Sequence, residues 1–442
     1  MADVRGFRGI RYNLERADAE DLVAPPYDVI DEEDHSELYE RHPHNIIRLI
    51  LNRCGEGDDE WENNRYTRSR RHMIDWLAEG VLQQDVDPGM YVHYQDYEGA
   101  IGEGLTRRGF VAAVRLTEYE NEVVLPHERT LRGPKADRLR LMKEAECNLS
   151  PIFLLYDDPD NEVDELLANY RDDDPWMDVT TKFDGIRHRT SPFFNEEAQA
   201  EIAELLDDKQ LLIADGHHRY ETALAYRDFR QRVAEEPVED APYNYVMALL
   251  VNMHDPGLQI FPTHRIVYGV EEFEATALAD QLDASDYFES EWMDVNARED
   301  AQGTVDQLET AGGEVPSFAL MAPQWERPLL VRFVGDTDAP VFDEETGEGV
   351  RQLDTAILHE AILDRMIGID KEAQADKRNL HYTRDLDEAV EAADDPDNQL
   401  VVLMNPTKID QVVEVCQSGD KMPQKSTYFY PKILSGLTVN PL

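Results

Sequence analysis

The sequence predicts an α+β fold in two domains, and three features carry that expectation. Its 442 residues exceed what one core usually fills, since single domains typically run ~100–200 residues. Apolar runs of strand length alternate with helix-period stretches along most of the chain. From about residue 270 the composition becomes more acidic and richer in helical pattern, so residues 1–268 are expected as a first domain and 269–442 as a second, α+β domain.

Composition bounds the function. There are 93 Asp and Glu against 43 Lys and Arg, a formal charge of −50, and only 10 of the cations are lysines. The acids recur throughout the chain. They make either an acidic partner surface or a salt-adapted one, whose carboxylates stay solvated where the Debye length falls to ~3 Å at 1 M salt. Such a surface argues against nucleic acid as the main partner. Cys54, Cys147 and Cys416 form no CxxC pair, which excludes the usual zinc and disulfide frameworks and fits a reducing compartment. No apolar run approaches the ~20 residues of a membrane span, and the N-terminus lacks an apolar signal segment. A soluble, cytoplasmic protein is expected; its oligomeric state is not legible.

In chain order, residues 1–60 read as short strands and turns. APPYDVI, residues 24–30, is held extended by its prolines; it either carries Tyr27 and Asp28 to a site rim or is an interdomain turn. His42-Pro43-His44-Asn45 reads as a turn before an apolar strand at 46–51. Residues 66–79 predict a helix with Tyr66, Met73, Ile74 and Leu77 on one face, ended by Gly80. Residues 90–97 and 108–116 alternate as paired strands around the glycine-rich 99–104, a hairpin loop without nucleotide-loop spacing.

A strand at 123–125 then breaks at Pro126 and exposes His127 and Glu128. A carboxylate beside a histidine is a candidate general base for a substrate hydroxyl, and the spacing is not HExxH, so a zinc-protease reading fails. Lys135 and Arg138, one turn apart on the next helix, either face a phosphate or pair with Glu144 and its neighbours. A buried strand follows at 151–156, then an acidic connector with a short helix, a strand near 179–189, and a helix at 195–206. Asn195 caps that helix, and Ile202, Leu205 and Leu206 form its stripe.

The most informative stretch is QLLIADGHHRY, residues 210–220. Its apolar run reads as a buried strand, and Asp215-Gly216-His217-His218-Arg219 opens a helix. Gly216 suits a sharp strand-to-helix turn because it accepts φ > 0 at little cost. The helix start offers unpaired N–H groups and the positive end of the macrodipole. Two imidazoles and a guanidinium add phosphate donors, and Asp215 suits a magnesium ion or the orienting of a histidine. A plain N-cap with structural histidines would use some of these residues; together they point to a nucleotide or phosphate site.

After a charged break at 235–242 comes a buried strand, 245–253, and Pro262-Thr263-His264-Arg265 either reads as a strand-end turn or brings His264 and Arg265 to the site. Beyond it, helices are expected at 271–282, 305–311 and 353–367, and strands at 317–321, 328–334 and 400–404. Asn405 then caps, and Pro406 starts, a helix burying Ile409, Val412, Val413 and Cys416, with Gly419 ending it. The tail KMPQKSTYFYPK, residues 421–432, mixes cations, hydroxyls and aromatics. It nearly spells a phosphate loop, but Gln424 stands where the second glycine belongs and a helix precedes it. A lysine–hydroxyl cluster still suits an anionic group, and the aromatics suit anchoring of the C-terminus.

Six stretches, APPYDVI, LPHERT, GPKADR, IADGHHRYETAL, PTHR and MPQKSTYFYPK, resemble the family labelled domain of unknown function 1015, also described as ParB-like. DGHHR is similar to the phosphate-binding motif of the ParB/sulfiredoxin superfamily. Within it, the order PHE, DGHHR and a PxKST-like tail resembles the archaeal free-serine kinases, which transfer phosphate from a nucleotide to the hydroxyl of L-serine. The resemblance implies a ParB/sulfiredoxin-like N-terminal core with extra strands and helices, and Mg2+ with ADP or ATP as cofactors. It implies a catalytic set of Glu128, His127, Asp215 and His218, with Glu128 as base. Gly216, His217, His218 and Arg219, with Lys135 and Arg138, would hold nucleotide phosphate, and Asp215 a metal. Lys425, Ser426 and Thr427 would bind the amino acid or its new phosphate. This chain departs from the kinases in its extra length, with more than 100 residues before Pro126, and in its longer Pro423–Lys425 spacing.

The expectation is a small-molecule kinase whose C-terminal lobe closes to bring Lys425 towards Glu128 across an interdomain cleft. The alternative is a non-catalytic nucleotide-binding switch of the ParB-like type. A DNA-binding partition protein is disfavoured, because no basic helix-turn-helix segment is present.

Overall fold

The computed structural model describes residues 1–442 except 100–101, 129–131, 171–173, 237 and 424, and only the backbone of 132–134. The chain is a mixed α+β structure of two compact units. Met1–Pro126, Thr130–Gln259 and Phe429–Leu442 make the first; His127–Arg129 and Ile260–Tyr428 make the second. The boundary expected at 268/269 therefore falls at 259/260, and neither unit is continuous in sequence. Backbone pairing is the cause. Asn440–Pro441 pairs with Cys147–Asn148, and Val439 exchanges hydrogen bonds with Ile10, so the tail belongs to the first unit. Met422 N donates to the His127 carbonyl at 2.8 Å, which draws His127 and Glu128 into the second. Composition carries no trace of either pairing.

The first unit is built on a nine-stranded sheet. Its order is Val124–Pro126, Leu211–Asp215, Ile152–Tyr156, Tyr245–Asn252, Gly104–Arg115, Met90–Glu98, Arg187–Phe193 and Met177–Thr180, with Val4–Arg5 alongside Gly104–Arg115. Ile152 to Tyr156 are all fully buried, as expected of an interior strand covered on both faces. One face packs on the helices Glu196–Leu206 and His217–Val233 through Ala198, Ile202, Leu206, Tyr220, Ala223 and Leu224. The strand expected near 179–189 is two antiparallel strands, Met177–Thr180 and Arg187–Phe193.

The second unit holds a six-stranded antiparallel sheet in the order Phe288–Trp292, Leu329–Phe333, Ser317–Met321, Asn398–Met404, His264–Tyr268 and Leu380–Thr383. Alternate residues serve opposite faces: Phe318 and Leu320 join one apolar cluster, Ala319 and Met321 the other. The expected helix at 353–367 is a short α-helix, Asp354–Ile357, continued as a π-helix over Leu358–Ile367. Among the described residues no helix is long and apolar enough to cross a membrane.

Other local expectations need correction. Residues 46–51 form a short helix, Ile47–Ile50, rather than a strand. The Asn45 side-chain oxygen accepts from Ile47 N at 2.9 Å, and a short apolar run has no periodicity to oppose this. On the Arg65–Ala78 helix the buried stripe is Tyr66, Ser69, Met73 and Trp76; Ile74 and Leu77 are 55 % and 37 % exposed. His264 and Arg265 are not in a turn but begin a strand, buried. The helix placed after Asn405 starts at Ile409, where Gln411 accepts from Lys408 N at 2.9 Å, and it buries Val412, Val415 and Cys416.

Candidate functional site

In the first unit the strand Leu211–Asp215 leads through Gly216 into the helix His217–Val233. Leu211 and Ile213 are fully buried, which fixes the strand in place. Gly216 has φ +95°, and a Cβ there would stand 3.1 Å from Arg219 and Ile152 atoms, so no other residue makes this turn without strain. Asp215 is engaged on both oxygens: Oδ2 accepts from Arg219 Nη2 at 2.8 Å, and Oδ1 from Lys432 Nζ at 3.2 Å. Burial alone would raise the Asp215 carboxyl, but Lys432 and Arg219 outweigh it and hold it well below the ordinary carboxylate range. Arg219 also donates to the Pro151 carbonyl.

His217 is buried and His218 half-buried at the helix start. Burial holds the His218 imidazole below its ordinary value, so its neutral form presents one donor and one acceptor. Lys135 donates to Glu221 on the same helix as the two histidines, at 2.6 Å. Arg138 is buried; it donates to Asp137 and the Ile50 carbonyl and lies 4.2 Å over the Tyr27 ring. It supports the proline-rich loop more than it faces solvent. Tyr27, Arg138, Ser150, Arg219 and Thr222 line a cavity of about 50 Å3.

Three residues here escaped sequence reasoning. Lys432 is the first. Arg107, buried, donates to Gln95 Oε1 through Nε at 3.0 Å and also through Nη2. Gln95 in turn donates to the Lys432 carbonyl at 2.9 Å, so this buried pair fixes the segment that presents the Lys432 ammonium. Burial pushes Arg107 down to about 9. The strand pairing sets this guanidinium and amide directly opposite in register.

In the second unit the stretch after Pro126 meets the tail. Glu128 forms a parallel bridge with Met422, and its Oε1 accepts from Lys425 N at 3.2 Å. His127, also buried, places Nε2 at 2.9 Å from the Thr427 hydroxyl. Ser426 is buried and donates to the Pro423 carbonyl at 2.7 Å, with Thr355 Oγ1 at 3.0 Å; this hydroxyl is committed to shaping the loop. Lys425 adopts φ +61°, and Arg265 Nη2 donates to its carbonyl at 3.1 Å. Glu128 and Lys425 thus share one unit, contrary to the expectation that closure between domains joins them. Arg129, Thr130 and Gln424 of the two motifs lie outside the described residues.

The surroundings of Asp215 do not fit a resident magnesium ion. A metal-ligating carboxylate needs oxygens turned to the ion, whereas two cationic side chains already supply positive charge to both. Among the described residues no group of three His, Cys, Asp or Glu could hold a metal. The expectation of Asp215 as a metal ligand is therefore replaced by Asp215 as the anchor of Arg219 and Lys432.

Fold and motifs together define a two-unit α+β protein with a cation-rich strand-to-helix turn in one unit and a carboxylate–lysine loop in the other. The chain belongs to the family described as Protein of unknown function (DUF1015), whose model matches residues 4–355. No curated protein matches it. Among solved structures it is similar to free serine kinase in complex with AMP, at 12% identity, covering 74% of this chain and 90% of that one, TM-score 0.36. A conserved hypothetical protein from Pyrococcus furiosus is similar at 14% identity, with 72% and 90% covered and TM-score 0.34. SbnI with a C-terminal truncation, from Staphylococcus aureus, is similar at 10% identity, with 74% and 85% covered and TM-score 0.34.

Proposed function

We propose that the protein is a small-molecule kinase that transfers a phosphate from ADP or ATP to a hydroxyl, with free L-serine, giving O-phosphoserine, as the first acceptor to test. The observation that carries the reading is the meeting of Glu128 and Lys425, 297 residues apart, through a 3.2 Å hydrogen bond from the Lys425 main-chain N–H to the Glu128 carboxylate. A carboxylate held on the same loop as a lysine suits an alcohol about to become a phosphate ester. Glu128 takes the hydroxyl proton as the oxygen–phosphorus bond forms and the bond to the leaving nucleotide breaks. Lys425 meets the charge of the transferred group. Within the first unit, the start of the His217–Val233 helix, with His217, His218 and Arg219, suits the phosphates of a nucleotide. Phosphoryl transfer asks for placement and charge more than covalent help, and these residues offer both. The order of the PHE, DGHHR and KST stretches, similar to that in the archaeal free-serine kinases, favours serine.

The test is phosphorus NMR of the full chain with ADP or ATP and L-serine, alongside calorimetry of nucleotide binding. Glu128→Gln is expected to lower turnover by ~10²-fold or more while leaving nucleotide affinity within about twofold. Full activity of that variant would remove Glu128 from the mechanism. Tight nucleotide binding with no phosphorylated product from serine or any related alcohol would favour the nucleotide-switch reading instead.

A further inference from the structure

Lys432 reaches the strand-to-helix turn from near the end of the chain, and buried polar groups of the first unit hold it there. Arg219, four residues along the same turn, already neutralises Asp215 at 2.8 Å. The second cation on that carboxylate, Lys432 Nζ at 3.2 Å, is surplus to that need. Arg219's other partner, the Pro151 carbonyl, carries no charge. Two cations therefore share one carboxylate beside a helix start that is itself positive. The Lys432 side chain keeps part of its surface in water, which leaves the ammonium within reach of a solute.

The segment that carries Lys432 is fixed through its backbone. Its carbonyl accepts from Gln95 Nε2 at 2.9 Å. Gln95 is oriented in turn by Arg107, which donates to its Oε1 through Nε at 3.0 Å and also through Nη2. A guanidinium only donates, so it commits the amide oxygen to itself and leaves the amide NH2 to face Lys432. Just before Lys432, Phe429 meets Phe153 edge-on at 6.0 Å, and Tyr430 meets Tyr97 at 5.2 Å.

This support is costly. Gln95 and Arg107 are each 1 % exposed, and Arg107 Nη1 has no hydrogen-bond partner among the described residues. A buried guanidinium with an unmade N–H and no carboxylate beside it lowers stability, and apolar side chains of similar volume would fill the place at less cost. What apolar side chains could not do is set a donor against the Lys432 carbonyl.

We propose that Lys432 is a phosphate-contacting residue of the first unit, held ready on Asp215 beside Arg219, and that Gln95 and Arg107 are positioning residues acting on it through its main-chain carbonyl. The ligand class is a pyrophosphate-bearing anion, free or as a nucleoside diphosphate, whose oxygens suit a lysine and an arginine side by side. The choice of a nucleotide rests on the nucleotide-binding part of the kinase reading; nothing in the proposal rests on Glu128, Lys425 or a transfer step.

Calorimetry of the full chain with ADP, inorganic pyrophosphate and, as the phosphate-free control, adenosine tests it. Lys432→Gln is expected to weaken ADP roughly tenfold or more, the loss of one charge-assisted contact, and to leave adenosine unchanged. Lys432→Arg should recover most of that loss. Gln95→Glu keeps an acceptor for Arg107 and removes the donor to the Lys432 carbonyl, so it should weaken ADP about threefold or more with adenosine again unchanged. A merely structural Gln95 would lower the unfolding midpoint and leave the ADP affinity of the folded chain untouched, which would remove the positioning pair. Unchanged ADP affinity in Lys432→Gln, an equal loss for adenosine, or binding of neither ADP nor pyrophosphate by the wild-type chain overturns the phosphate contact. Pyrophosphate binding that depends on Lys432, with no binding of ADP, keeps the contact and sinks the nucleotide reading; phosphoryl transfer from ADP or ATP with no dependence on Lys432 does the reverse.

Discussion

Asp215→Asn isolates the charge at the strand-to-helix turn. The carboxylate serves Arg219 at 2.8 Å and Lys432 at 3.2 Å, with the three side chains 19 %, 10 % and 15 % exposed. Removing one member of a buried pair costs ~3–5 kcal/mol. Here Arg219 keeps the Pro151 carbonyl and Lys432 keeps some water, so the expected loss is ~2–3 kcal/mol, near that of one charged hydrogen bond left unmade. With a urea dependence of ~2–3 kcal/mol/M, the unfolding midpoint should fall by about 1 M. The sign with pH follows from the depressed Asp215 carboxyl. A group whose folded-state pKa lies below its unfolded value contributes stability that is whole above about pH 4 and lost as pH falls towards the folded value. The wild-type and Asp215→Asn curves should therefore converge in acid. Lys432→Gln should cost less when combined with Asp215→Asn than in the wild type, by ~1 kcal/mol or more. Equal midpoints for wild type and Asp215→Asn at pH 7 would refute the reasoning.

Two further outcomes are expected. Trp76→Ala should cost ~3–5 kcal/mol and Ile74→Ala no more than about 0.5 kcal/mol, because the former is 2 % and the latter 55 % exposed on the same helix; equal costs in chemical denaturation would contradict the observed helix face. The His218 imidazole, lowered by burial, should titrate below about 6.5 in NMR of the free protein and shift upward when ADP binds, since an added anion favours the charged form; an unshifted His218 would place the phosphates elsewhere.

Much of this was legible because short-range physics writes it. The run 211–214 and Gly216 announce a buried strand and a turn only glycine makes easily. What was not legible depends on contacts between residues distant in sequence. Nothing near Lys432 says that it will reach Asp215, and nothing near Glu128 says that Met422 will bridge it into the second unit. The stretch 46–51 misled for a different reason: six mostly apolar residues satisfy a strand or a helix equally, and the Asn45 side chain decided between them. Ser426 looked like a ligand because hydroxyls beside lysines suit anions, yet its hydroxyl went to the loop's own backbone.

The separation of Asp215 from Lys432 by 217 residues has a consequence for biosynthesis. At ~5–20 residues per second the ribosome needs roughly 10–40 s to pass from one to the other. Throughout that interval the nascent turn has its aspartate and arginine but not its lysine, and the edge at Cys147–Asn148 waits for Asn440–Pro441. The second unit's long segment, Ile260–Tyr428, is synthesised while the first remains unfinished. Final locking of the strand-to-helix turn thus waits until Lys432 has been made.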